Sequence, residues 1–226
     1  MKFGKETKLL YAFFLLILQY SCSINTNVGY YFESFGVAQL SPENDQMCIY
    51  NDENQLLIPK EDISSTVSAG ERAWISYTVE AENEEKNVLT VTSSRVTAIT
   101  TLKLQSVADI DDNGIDIWNI WLAQNFLTLD FKIHVNDWNE VKNHRFALIE
   151  QGEKNDTLSI KFIHDAANSE GSAEFRTAVA LNMNDIYDRQ NISTLAIEYK
   201  DIKNGAIRKY CQKVYRTAYN KKVWGN

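Results

Sequence analysis

Apolar and polar residues alternate with a period of two along most of the chain, the pattern of half-buried β-strands. In GERAWISYTVE, Gly70 to Glu80, Ala73, Ile75, Tyr77 and Val79 fall on one face, and Trp74, Ser76, Thr78 and Glu80 on the other. Tyr30 to Leu40, Met47 to Tyr50, Val88 to Thr92 and Arg95 to Gln105 read the same way and are rich in β-branched residues. With polar turns such as Asn51 to Asn54 between them, these five runs predict a small barrel of the OB type. After an acidic turn the alternation resumes. Asp116 to Gln124, Phe126 to Val135, Arg145 to Glu150, Thr157 to His164, Glu174 to Asn182, Thr194 to Tyr199 and Ala206 to Arg216 predict seven strands, which suits a β-sandwich. Leu127, Leu129, Phe131 and Ile133 share one face of the second. Met183 to Asn191 has room for one helical turn. The expected fold is therefore all-β: a five-stranded OB-like barrel over residues 28–106, then a β-sandwich over residues 107–226.

One segment breaks the pattern. Leu9 to Leu18 is an uninterrupted apolar run behind Lys2, Lys5 and Lys8. It is shorter than the roughly 20 residues of a membrane span, and it fits the h-region of a secretory signal. Ser21-Cys22 follows, and a small residue before cysteine at that place resembles a bacterial lipobox. The resemblance implies removal of residues 1–21, diacylation at Cys22 and a polar tether over residues 22–27. Gln19 departs from the usual Leu of that motif, although Leu18 lies one position earlier. Acyl chains bury about 0.8 kcal/mol per CH2, so two or more hold a protein stably on a membrane. The expected place is the cell envelope, at the outer membrane.

Charge narrows the partners. The net charge is −7, and residues 28–106 carry twelve acidic against five basic residues. An acidic body excludes nucleic acid as an expected partner, because phosphate binding draws on Lys and Arg. The other end is basic. Arg208, Lys209, Lys213 and Arg216 mark a surface for an acidic partner or lipid headgroups, the plainer reading being a charged edge that discourages aggregation. With Cys22 lipidated, Cys48 and Cys211 remain. Export permits a disulfide between them, and two buried free thiols are the favoured alternative.

Three patterns invite chemistry. In ADIDDNGIDIW, Asp109, Asp111, Asn113 and Gly114 occupy positions 1, 3, 5 and 6 of a calcium loop. Position 12 is Ile120, which has no ligating side chain, so an EF-hand is excluded. A looser site of Asp109, Asp111, Asn113 and Asp116 is the metal alternative to an Asx- and Gly-rich turn. His134, His144 and His164 fall in unrelated contexts without zinc-ligand spacing, and no zinc centre is expected. Trp118 and Trp121, three apart, are expected on opposite faces of one strand. Trp118 then shares its face with Ile120 and Leu122, with one tryptophan in the core and the other between domains or at the surface. No nucleophile elbow or phosphate loop occurs, and no cofactor is expected.

Tyr30-Tyr31-Phe32, SAGERAWISYT (Ser68 to Thr78), DIWNIWLAQNFLTLDFKIHV (Asp116 to Val135) and HRFALI (His144 to Ile149) stand in an order and spacing that resemble the NigD-like lipoproteins of anaerobic Gram-negative bacteria. The resemblance covers essentially the whole chain. It implies an OB-type domain followed by a β-sandwich, and it implies no known activity or catalytic residue. The function expected is a non-enzymatic envelope lipoprotein, a binding or accessory module for an envelope protein or glycan. Two alternatives stand beside it: a glycan-acting hydrolase with paired carboxylates, and a bacteriocin-associated, immunity-type lipoprotein suggested by the family name.

Overall fold

The computed structural model describes residues 31–167, 169 and 171–215. The lipobox, Cys22, Tyr30 and Arg216 lie outside the described residues. The first five strands are β1 (Phe32–Leu40), β2 (Met47–Asn51), β3 (Leu56–Pro59), β4 (Arg72–Asn83) and β5 (Val88–Ala98). They close into a barrel in the order β1-β2-β3-β5-β4, antiparallel except for the β3–β5 pair. Ala73, Ile75 and Tyr77 point inward as the alternation predicts, and pack with Ala38, Ile49, Leu57, Leu89 and Val91. Val79, expected with them, is 39% exposed, and the register shifts just after it, between Val79 and Ala81. Gly36 lets β1 and β2 approach closely. A Cβ there would lie 2.5 Å from both the Ile49 Cγ2 and the Tyr50 carbonyl oxygen.

The five barrel strands are not the five expected. Val88 to Thr92 and Arg95 to Ala98 form one strand, since the polar Ser93-Ser94 pair makes no turn: Ser93 pairs with Tyr77, the register slips at Ser94, and Arg95 pairs with Ser76. The missing member is β3, whose short apolar run ends in Pro59 and lacks alternation. Past Ile99 come β6 (Thr100–Leu102) and β7 (Leu104–Gln105), which the sequence placed on the barrel side of a boundary at Ser106. Both join the sandwich: β6 pairs in parallel with β12 (Ala173–Asn182) and β7 in parallel with β10 (Arg145–Lys154). With only Lys103 between them, they feed the edges of two different sheets. Strand propensity identifies such a run as β but is silent about its partner.

All seven expected sandwich strands are present: β8 (Asp116–Ala123), β9 (Phe126–Val135), β10, β11 (Thr157–Asp165), β12, β13 (Thr194–Lys200) and β14 (Ile207–Lys213). One sheet runs β14-β13-β11-β10-β7 and the other β6-β12-β9-β8. A 3-10 segment, Trp138–Asn143, links β9 to β10, and the expected helical turn is α1 (Asn184–Tyr187). Leu127, Leu129, Phe131 and Ile133 of β9 are fully buried against Leu148, Leu158, Ile160, Phe162, Val179 and Leu195.

The opposite face of β9 is buried too. Phe126, Thr128 and Asp130 are each at most 5% exposed. The barrel covers them: Phe126, Ala178 and Ala180 of the sandwich pack with Val37, Phe35, Trp74 and Ile99. The four-stranded sheet is thus sandwiched between its partner sheet and the barrel.

Candidate functional site: the barrel–sandwich junction

The junction is built around a buried cation. Arg72 opens β4, its side chain is fully buried, and its guanidinium reaches Asp52 in the turn between β2 and β3 through two N–H donors. Its Nε donates to Thr128 Oγ1 of β9 at 3.1 Å. Asp52 also accepts from Trp121 Nε1 at 2.7 Å, so one carboxylate holds a barrel arginine and a sandwich indole. Phe35 and Trp121 meet edge to face at 4.9 Å, and the Arg72 guanidinium lies 6.0 Å from each ring centroid. A planar, always-charged fork suits such a buried, bidentate place.

A second arginine works beside it. Arg176 of β12 forms a bidentate pair with Asp130 and a 2.8 Å contact to Glu33 of β1. Its guanidinium sits 4.6 Å from the Trp74 ring and 4.4 Å from the Trp118 ring. The Asp130 carboxylate raises the Arg176 pKa further. Trp118 is 61% exposed. A bulge between Ile117 and Asn119 inserts one residue into β8 and resets its alternation, so Ile120 turns inward while Trp118 does not. That corrects the expected face shared by Trp118 and Ile120. Neither tryptophan is core: Trp121 lies between barrel and sandwich and Trp118 at the surface.

Beside these arginines is a cleft of about 350 Å³ whose walls come from both halves. Trp74, Arg95, Thr97 and Ala98 belong to the barrel; Asn139, Val141, Lys142, Phe175 and Arg176 belong to the sandwich. Arg95, Lys142 and Arg176 are cations, and no Asp or Glu lines the cleft. The paired carboxylates that a glycosidase needs are therefore missing from this wall.

The sites expected from sequence fall elsewhere. Asp109 and Asp111 are exposed, Asn113 Oδ1 accepts from the Ala166 N–H at 2.8 Å, and Asp116 pairs with Lys203. Among the described residues no three His, Cys, Asp or Glu side chains gather around a metal-sized space. The turn is fastened to the sandwich instead: Asn113 N–H donates to the His164 carbonyl and Ile115 N–H to that of Lys200. Gly114, at φ +84°, lies so close to Lys200 and Ile202 that a Cβ would be crowded at 3.1 Å.

Cys48 and Cys211 are both free, the first buried in the barrel and the second exposed on edge strand β14. Strand alternation at an unpaired edge puts Cys211 in solvent, which corrects the expectation of two buried thiols and leaves the pair unbridged. Burial pushes the Cys48 thiol up to about 11. Two cations of the basic end form ion pairs nearby, Arg208 with Asp201 and Lys209 with Glu198, while Lys213 Nζ lies 3.5 Å from the neutral Thr194 Oγ1.

Sequence reasoning missed one contact altogether. His144 and His164 were expected apart, yet their rings stack and His144 Nδ1 lies 2.8 Å from His164 Nε2. His164 Nδ1 is 2.7 Å from the Gly114 carbonyl oxygen and donates to it, which leaves its Nε2 to accept from His144. The signal was the apolar face of β11, Leu158, Ile160 and Phe162, which continues into His164.

Among the described residues a closed five-stranded barrel is followed by a β-sandwich of nine strands, and that is the class of protein these strands define. The family model of the NigD-like C-terminal beta sandwich domain matches residues 98–213, half of the chain, and the chain belongs to that family. Its fold is similar to that of a protein of unknown function from Bacteroides vulgatus (13% identity, TM-score 0.64, 84% of this chain and 93% of that one). A Bacteroides fragilis protein named a candidate lipoprotein matches at 13% identity and TM-score 0.63, over 84% of this chain and all of that one. A NigD-like immunity protein from Bacteroides caccae matches at 17% identity and TM-score 0.59, over 81% and 92%. No curated protein matches the sequence.

Proposed function

We propose that this protein is a lipid-anchored accessory module of the bacterial cell envelope, held at the outer membrane by diacylated Cys22, and that it captures its ligand in the junction cleft. The observation that carries the reading is the cleft: cations from both halves face it, no carboxylate lines it, and the chain as a whole carries −7. The lipobox-like Ser21-Cys22 and the similarity to a protein named as a lipoprotein support the anchor. Cys22→Ser should move the protein from the membrane fraction to the soluble one; unchanged retention in the membrane ends the anchored reading. Capture from native membranes should weaken for Lys142→Glu if the cleft is the binding site.

A second reading, an immunity-type role toward a protein toxin, has its own observation in the exposed Trp118, flanked by the Lys132 and Arg176 cations, and is supported by the similarity of the fold to a protein named as a NigD-like immunity protein. Exposed aromatics beside arginine are the side chains that dominate protein interfaces. Under that reading Trp118→Ala, not Lys142→Glu, abolishes capture.

A further inference from the structure

We infer that the open edge of β14 takes up an extended, acidic segment of a partner protein as an added β-strand, on a surface separate from the junction cleft. The barrel is closed, so the free sheet edges are those of the sandwich: β14 and β7 in one sheet, β6 and β8 in the other. Three of the four are blunted. β7 has two residues, β6 has three, and β8 carries the bulge between Ile117 and Asn119. Short strands and bulges are common protection against strand addition. β14 has neither: all seven residues, Ile207–Lys213, pair with β13 without a register shift and without a proline. Among the described residues no strand lies beyond it.

Register shows which backbone groups are on offer. The Val214 N–H donates to the Ser193 carbonyl and the Asp201 N–H to the Ala206 carbonyl. Antiparallel pairing alternates, so the even-numbered residues of β14 turn their backbone groups to β13. Ile207, Lys209, Cys211 and Lys213 turn theirs to the open edge; of these groups the Lys213 carbonyl accepts from Gln212 Nε2 at 3.0 Å. Side chains choose the partner. Lys209 and Lys213 stand on the solvent face with Ile207 and Cys211, while Tyr210, on the other face, packs on the sandwich core. Residues 194–215 hold five basic and two acidic residues in a chain of net charge −7. Lys213 has no carboxylate partner among the described residues, and the exposed Lys209–Glu198 pair, at 3.2 Å, is of the weak kind. A strand with acidic residues on the lysine face and apolar residues on the Tyr210 face satisfies both rows, and its main-chain bonds supply affinity. A second copy would set the same cations against each other. Residues 216–226 hold Arg216, Lys221 and Lys222 without an acidic residue, so they do not supply the acidic row either.

The test is fluorescence anisotropy of a labelled, capped peptide of alternating glutamate and valine, long enough to span β14, titrated with the full-length protein in detergent. Saturable, salt-weakened binding is expected, with none for the lysine–valine counterpart. Lys213→Gln should weaken it about two- to fivefold, the worth of one exposed ion pair. Cys211→Pro removes an outward N–H and leaves the ladder to β13 intact, so it should weaken binding about tenfold while the urea midpoint stays near wild type. Two further peptides, N-methylated at the glutamates or at the valines, probe the wild-type protein without any substitution. Alternate residues present their N–H groups to opposite edges, so strand addition requires one of these peptides to bind and the other to fail. Equal binding of both, no saturable binding of the parent peptide, or indifference to Lys213→Gln overturns the inference. So does a concentration-dependent dimer in sedimentation that Cys211→Pro dissolves, since the edge then belongs to a second copy of the chain.

Discussion

Replacing Asp52 by alanine should be among the most damaging single changes in this protein, although Asp52 belongs to a turn. The carboxylate is the counter-charge of Arg72, whose side chain has no solvent exposure. Removing one partner of a buried ion pair costs about 3–5 kcal/mol, because the other charge is left uncompensated. Trp121 Nε1 loses its acceptor in the same step, and an orphaned buried donor costs about 1–3 kcal/mol. Two features moderate the sum. Asp52 is 14% exposed, so water can enter beside it, and Arg72 keeps its bond to Thr128 and its position over Phe35 and Trp121. The expected loss is therefore about 3 kcal/mol, or roughly 6–12 °C in melting temperature at about 2–4 °C per kcal/mol for a chain of this size. Urea unfolding followed by tryptophan fluorescence measures it. Arg72→Met removes the charge itself and should cost less, and the double variant should be milder than the two single losses added together. Additivity within about 0.5 kcal/mol, or a loss below 1 kcal/mol for Asp52→Ala, refutes the claim that this pair holds barrel to sandwich.

Two further outcomes follow from charge. Burial, and for His144 the neighbouring His164, lower both histidine pKa values, so the folded protein favours the neutral rings: their contribution is complete above the unfolded value near 6.5 and is lost as pH falls below it toward the lowered folded values, at up to about 1.4 kcal/mol per pH unit for each. Urea midpoints at pH 7 and pH 5 check this, and a His144→Gln slope equal to wild type contradicts it. On β14, Lys209→Glu with Lys213→Glu exchanges attraction to Glu198 for repulsion; exposed pairs are worth about 0–1 kcal/mol, so the melting temperature should move only a few degrees while capture of any acidic partner weakens.

The legible part of the fold was the part governed by alternation. All seven long sandwich strands could be read because each buries one apolar row, Leu127 to Ile133 being the clearest. What escaped depended on partners. Leu56–Pro59 is too short and too uniformly apolar to show a period, and it is a strand because β2 and β5 flank it. Thr100–Gln105 reads as β throughout, yet its pairing changes sheet at Lys103. Alternation alone puts Trp118 on the wrong face, because a bulge adds one residue that no pattern announces. The site was hardly legible at all. Arg72 and Asp52 are 20 residues apart, and Arg72 and Thr128 are 56 apart. Each looks like an ordinary surface residue until the barrel is laid on the sheet.

The outer face of β9 shows why the two halves and the cleft belong to one argument. By sequence it is a mixed, mostly polar row, suited to solvent: Phe126, Thr128, Asp130, Lys132, His134. Its first three members are buried, and a buried polar group is tolerable only with a partner. Thr128 receives Arg72 from the barrel, and Asp130 receives Arg176, which reaches back to Glu33 on β1. The polarity of that row is thus the imprint of the barrel. The same Arg176 lines the cleft, and the strand that begins with Arg72 also carries Trp74, so the contacts that dock the barrel shape the pocket wall. A ligand bound between the halves must favour the docked arrangement over the loosened one, since it binds only where both walls are present. Docking and binding are then linked, and a residue such as Asp52 influences the cleft without lining it.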